Sequence, residues 1–247
     1  LKELLIYINQ TNPKAKVMCI THTNVAVNEI LSRTGNAFPV LTIHSFLNCL
    51  IKDYKKNIYT VIGELFFIPE FVATEKTENV SDKDYRKSEY ERYKKMYEKY
   101  ADKHYQITHE SVEKIVGKKD YDNNPETFNK LLNDGIKIIN NKIVEYISSK
   151  DYSTIGYNDT KFDSFKDLTY GHDGLLKVFH LLIKKYPLLS KMIADRYNYI
   201  FIDEYQDTNA DIVCDLIQVS QNSELTLCLF GDSMQSIYSD GVGNVDE

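Results

Sequence analysis

A chain of 247 residues, 43% hydrophobic and 27% charged, has the composition of an ordinary globular protein and excludes a disordered one. It has no apolar run near the roughly 18 residues of a membrane span and no signal-peptide cleavage pattern, so a cytoplasmic location is expected. A formal net charge of −6 argues against a passive nucleic-acid coat, although a motor can carry a locally basic groove on an acidic body.

Residues 1–10 predict an amphipathic helix, because Leu1, Leu4, Leu5 and Ile8 share one face. Asn12-Pro13 breaks it. Val17–Thr21 reads as a buried strand, and 24–33 as a helix capped by Thr23 or Asn24, with Gly35 past its end. Residues 40–43 predict a second strand, followed by a helix near 45–55. Between about 47 and 190 the chain turns rich in Tyr, Lys, Asn and Asp and reads as mostly helical. A long charged helix is predicted over 82–104, with Tyr90, Tyr93, Tyr97 and Tyr100 at helical spacing. A slight excess of Lys and Arg there suits a DNA contact, but such a stripe more often marks core packing. Asn123-Asn124-Pro125 and 152–163 predict loops, and 174–185 and 187–196 predict helices.

The last segment returns to alternation: a strand at Tyr199–Asp203, a helix at 209–221 and a strand at 225–230 ending at Gly231-Asp232. Strands alternating with helices predict a parallel sheet. The expected architecture is therefore α/β. Residues 1–46 and 191–247 form one discontinuous domain, and 47–190 form a mainly helical insertion. Cys19, Cys49, Cys214 and Cys228 fit no zinc spacing. Three of them lie in apolar stretches, which predicts buried, reduced thiols. His104, His109, His172 and His180 are scattered and suggest no metal site.

Four polar tips follow the predicted strands. Asp203-Glu204 closes an apolar run, where one carboxylate can hold a magnesium ion and the other can polarise an attacking water. The same acids could instead end the strand and cap the helix starting near Asn209. Gly231-Asp232 leads into Ser233-Met234-Gln235-Ser236-Ile237-Tyr238, where Gln235 suits a γ-phosphate contact or a plain solvated turn. Thr21-His22-Thr23-Asn24 and Thr42-Ile43-His44-Ser45-Phe46 suit phosphate-backbone contacts or ordinary helix caps.

Together these tips resemble a known pattern. DEYQDT resembles motif II, GDSMQSIY motif III, THTNVAVNEI motif Ia and TIHSF motif Ib of the UvrD/Rep/PcrA family of superfamily 1 DNA helicases. Order and spacing agree, including a large helical insertion between Ib and II. The resemblance implies a RecA-like sheet of the P-loop NTPase type, with ATP and Mg2+ as cofactors. It implies that Asp203 holds the metal and Glu204 is the catalytic base. Gln235 would sense the γ-phosphate. Gln206, Gly231 and Asp232 would lie on the nucleotide side, Gln206 coupling it to DNA. Thr21, Thr23, Asn24, Thr42, His44 and Ser45 would face the DNA backbone, and Tyr238 the single-stranded path, where stacking on bases is sequence-tolerant.

There are departures. No Gly-rich loop ending in Gly-Lys-Thr or Gly-Lys-Ser occurs in the chain. The family places that loop just ahead of a helix like 1–10, so a fragment beginning after it is expected, inactive alone. The second RecA-like domain with its arginines is likewise expected elsewhere. His22 stands where the family usually has Phe, and Val25 where it often has Lys. Ser239-Asp240-Gly241 replaces an aromatic-Arg-Gly run. His172-Asp173 lies where an acidic pair is common, and a structural link to the parent domain is expected of it.

The implied function is ATP-driven movement on single-stranded or partly duplex DNA by a helicase, with a nuclease or repair protein as partner and no membrane. The alternatives are a motor subunit of a helicase-nuclease or defence complex, and a domain that binds DNA or a partner without hydrolysis.

Overall fold

The computed structural model describes residues 2–35 and 37–232. In chain order the elements are α1 (Lys2–Thr11), β1 (Val17–Thr21), α2 (Asn24–Thr34), β2 (Val40–Thr42), α3 (Ile43–Ile51), α4 (Lys55–Tyr59), α5 (Asp82–Thr108), α6 (Lys118–Asn123), α7 (Pro125–Ser148), β3 (Gly156–Tyr157), β4 (Thr169–Tyr170), α8 (His172–Lys185), α9 (Pro187–Arg196), β5 (Tyr199–Asp203), α10 (Ala210–Gln221) and β6 (Thr226–Phe230). The chain divides into two compact units, Leu1–Leu65 with Tyr152–Glu247, and Phe66–Asp151. Residues 47–65 and 152–190 thus group with the sheet.

The first unit is built on a parallel sheet in the order β2-β1-β5-β6. Every residue of β1 and the centre of β5 are buried, as expected of parallel strands covered on both faces. On one face Cys19 and Phe201 pack with Leu5 and Ile8 of α1, and Val27, Ile30 and Leu31 of α2 join them. Met18, Ile20, Ile200 and Ile202 alternate to the other face and are also buried. There α3 lies against β1, α10 lies against β6, and α8 packs on both α3 and α10. From β1 the chain runs outward to β2, and later from β5 outward to β6. The strand order therefore reverses between β1 and β5, and in open α/β sheets ligands bind at the carboxyl ends of strands beside such a switch point.

Local chemistry sets the boundaries. Thr23 is the cap of α2, its Oγ1 accepting from Ala26 N at 3.1 Å, and Gly35 closes that helix in the left-handed region. The expected strand over 40–43 stops one residue early, because Thr42 caps α3 by accepting from Ser45 N at 3.2 Å. Pro125 is not part of a loop. It opens α7, where its fixed φ suits the first turn and no amide is lost.

Between α8 and α10, His180 Nδ1 lies 2.8 Å from Asp215 Oδ2, and Lys184 Nζ lies 3.6 Å from the other oxygen. Asp215 is 1% exposed. Burial pushes its carboxyl up, while the bond and charge of His180 and the charge of Lys184 pull it back.

The second unit carries α5, α6 and α7. The tyrosine stripe is a packing surface: Tyr93 is buried against Tyr90, Tyr97 and Tyr121, and Tyr90 and Tyr97 donate to the carbonyls of Val116 and Glu113. Tyr100 comes so close to α7 that a Cβ at Gly135 would lie 2.7 Å from its hydroxyl. Asn133 and Asn140, two turns apart, each bond both the amide and the carbonyl of one residue, Phe71 and Ile68 respectively. α5 runs four residues past the expected end, to a left-handed cap at His109.

The expectation of buried cysteines needs correction. Cys19 is buried, Cys228 is intermediate, and Cys49 and Cys214 are exposed. The last two sit on the outward faces of α3 and α10, whose buried residues point the other way. All four are free thiols.

Candidate functional site

The site is assembled at the carboxyl ends of β1 and β5. Asp203 is the last residue of β5 and half-buried. Burial raises its carboxyl above the ordinary range, and the adjacent charge of Glu204 raises it further. Glu204 then takes a left-handed conformation, φ 54° and ψ 47°, uncommon for a residue with a side chain and costing about 1–2 kcal/mol. This reversal turns the chain into a tight turn at Tyr205–Asp207, closed by Asp207 N on the Glu204 carbonyl at 3.0 Å. Gln206, 2% exposed, donates from Nε2 to Glu204 Oε2 at 2.7 Å.

The acids do not cap the following helix. Asn209 does, accepting from Asp211 N at 3.1 Å and Ile212 N at 3.4 Å. The capping part of the alternative for Asp203-Glu204 is not met, while Asp203 does end the strand. Both carboxylates are left at the tip, one half-buried and one exposed, with no lysine or arginine within ion-pair distance among the described residues.

Gly231 follows β6 directly and brings the second tip against the first. A Cβ there would lie 1.9 Å from Gln206 Oε1 and 3.1 Å from the Tyr205 ring, so a larger residue would have to displace the Gln206 amide. Asp232 is exposed beside it. Gln235 and Tyr238 lie outside the described residues.

Of the residues expected to face DNA, Asn24 and Ser45 are exposed in the first turns of α2 and α3. The Thr23 and Thr42 hydroxyls are engaged as caps, and Thr42 Oγ1 also donates to Ser45 Oγ at 2.9 Å. Thr21 does not fit that face. It is 2% exposed, because it ends β1 between β2 and β5, and a buried hydroxyl presents nothing to a polynucleotide.

His44 lies in a group the sequence did not suggest. Its ring centroid is 4.7 Å from that of His172, and Tyr157 Oη is 2.6 Å from His172 Nδ1 while donating to Asp159 Oδ1 at 2.9 Å. Burial, then the neighbouring His172 and His22, pushes His44 down to about 4, against a smaller pull from Asp173 and Asp159. His44 is therefore a neutral imidazole at physiological pH. The structural link expected of His172 is this tilted ring contact, with its backbone N also bonding the Thr160 carbonyl at 2.7 Å. The signal available was the His172-Asp173 pair itself; Tyr157 gave none.

Among the described residues no group of three or more His, Cys, Asp or Glu is placed to hold a metal, and no helix is long and apolar enough to cross a membrane. The family described as UvrD/REP helicase N-terminal domain matches residues 2–240. The chain belongs to this family. Its parallel sheet is of the RecA-like type that the UvrD N-terminal domain carries. Among curated proteins the UvrD-like chain is similar to Gabija protein GajB of Bacillus cereus (strain HuB5-5), 31% identical over 259 residues, 93% of this chain and 37% of that protein. It is also similar to RecBCD enzyme subunit RecB of Buchnera aphidicola subsp. Schizaphis graminum (strain Sg), 39% identical over 74 residues, 30% of this chain and 6% of RecB. The chain thus spans little more than a third of GajB.

Proposed function

We propose that this UvrD-like domain is half of an ATP-driven motor that moves on single-stranded or partly duplex DNA. Asp203 and Glu204 carry the chemistry. The observation that carries the proposal is the tip of β5: two adjacent carboxylates at the switch point, unused as a cap, with Glu204 turned out by a left-handed backbone and held by Gln206. Backbone strain and raised carboxyl pKa values concentrate at functional sites.

The residues fit Mg2+. It is bound by hard oxygen ligands, commonly one or two carboxylates together with substrate phosphates, and needs no all-protein cage. Asp203 would hold it, and the repulsion from Glu204 that now raises the Asp203 carboxyl would be relieved by a cation. When bound, the metal neutralises charge developing on the transferred phosphoryl group. Glu204 orients and deprotonates the attacking water, Gln206 fixes that carboxylate, and Gly231 with Asp232 borders the phosphate side. Exposed Asn24 and Ser45, with the amino ends of α2 and α3, offer amide and hydroxyl donors to DNA phosphates. Opening and closing around the nucleotide would convert hydrolysis into steps.

The test is DNA-stimulated ATP hydrolysis by a protein that carries this domain together with a Gly-Lys-Thr or Gly-Lys-Ser loop and a second RecA-like domain. Activity that rises with single-stranded DNA and disappears in Glu204→Gln supports the motor. Such a protein without ATPase, or one indifferent to Glu204→Gln, would leave a domain that binds DNA or a partner without hydrolysis.

A motor subunit working with a nuclease is the alternative, favoured by the similarity to a subunit of the RecBCD enzyme. Isolation of the full chain with a stable second protein that cleaves DNA would support it.

A further inference from the structure

At the switch point, the side chain beside Asp203 is Thr21. Ile20 pairs with Ile202, and the next residues on the two strands are Thr21 and Asp203. Side chains alternate along a strand, so Thr21 falls on the face of Cys19, and Asp203 on the face of Phe201. Cys19 and Phe201 share one core cluster.

Thr21 is 2% exposed, and its Oγ1 has no hydrogen-bond partner among the described residues. Buried hydroxyls without partners are rare, and each calls for a reason. The other threonine in register, Thr42, spends its hydroxyl on the cap of α3. Valine would fill the Thr21 volume, suit a buried strand equally well and leave no orphaned donor. A hydroxyl kept there, next in register to the Asp203 carboxylate, is suited to the oxygen shell of a cation.

We infer that Thr21 is a positioning residue for Asp203: its hydroxyl hydrogen-bonds the oxygen shell of a divalent cation held by that carboxylate. The inference rests on the reading of Asp203 as metal holder. Groups of this kind orient ligands without touching the metal, and their loss typically weakens metal affinity about 10–100-fold.

The experiment is a Mn2+ titration of the chain without nucleotide, followed by the EPR signal of free Mn2+. Thr21→Val is expected to weaken Mn2+ binding about tenfold or more, while its metal-free thermal midpoint stays level with or above the parent. Thr21→Ser, which restores the hydroxyl, is expected to recover binding, and Thr21→Ala to match the valine variant should valine perturb packing. A purely structural threonine would not separate serine from valine in this way. Parental Mn2+ affinity in both Thr21→Val and Thr21→Ala overturns the inference. Asp203→Asn separates the two levels. If it abolishes Mn2+ binding while the Thr21 variants bind normally, only the role of Thr21 falls. If it too binds normally, the metal-holding role of Asp203 falls first.

Discussion

Gln206 Nε2 donates a 2.7 Å hydrogen bond to Glu204 Oε2, two residues back across a left-handed turn. The bond holds a carboxylate that is otherwise exposed. A glutamine at position 204 offers the same acceptor oxygen, so Glu204→Gln should fold with an unchanged thermal midpoint. It should lose about 10²–10⁴ in ATP turnover, the contribution typical of a positioned general base. Turnover with single-stranded DNA, measured on a protein that carries this domain with its phosphate loop and second RecA-like domain, beside thermal unfolding, checks both halves.

Gly231→Ala places a methyl group on Gln206 Oε1. Either the amide leaves Glu204 or the end of β6 shifts, and overpacking of this kind costs typically about 1–3 kcal/mol. The expected result is a lower unfolding midpoint together with reduced turnover. Gln206→Ala in the same background should recover stability, because it removes the colliding atoms, and should leave turnover low.

His44 predicts a pH dependence. Its imidazole is pushed down to about 4 by burial and by His172 and His22, against an ordinary value of 6.5. Between these values the unfolded chain binds a proton that the folded chain refuses. The stability contributed by neutral His44 is therefore complete above about pH 6.5 and is lost as pH falls toward 4. Thermal midpoints from pH 7.5 down to 4.5 should fall less steeply in His44→Gln than in the parent. Parallel curves would contradict the assignment.

Asp215 is buried, and its strongest partner is His180 at 2.8 Å. His180→Ala removes that bond and leaves the carboxylate facing only Lys184 at 3.6 Å. The expected loss is about 1.5–3 kcal/mol, the range for a hydrogen bond to a charged group. Asp215→Asn retains an acceptor for His180 and should cost less. Chemical denaturation of the three proteins orders them.

Much of the sheet was legible because its strands are unbroken apolar runs ending in polar residues, as at Val17–Thr21 and Tyr199–Asp203. The cap at Thr23 was legible too, since it precedes a helix with its own hydrophobic periodicity, whereas Thr42 was read inside the strand. The tyrosine stripe of α5 packed as its spacing implied. What escaped depends on pairs distant in sequence. Gly231 is required by Gln206, 25 positions earlier, only because β5 and β6 are neighbours. The burial of Thr21 follows from strands on both sides of β1, which no local pattern records. His44 meets His172 because α8 returns to α3 after an intervening unit. Cys49 and Cys214 misled because an apolar neighbourhood along the chain is not a buried side of a helix.

The empty space at Gly231 has a mechanical meaning. With no Cβ, the backbone after β6 rests directly on the amide that steadies Glu204. A shift of that backbone toward β5 by a fraction of an ångström has nowhere to go except into Gln206, and a shift away removes its support. The Glu204 carboxylate is therefore linked, through Gln206, to the strand next door. A substitution that displaces the end of β6 is expected to disturb the Gln206–Glu204 bond without touching Glu204.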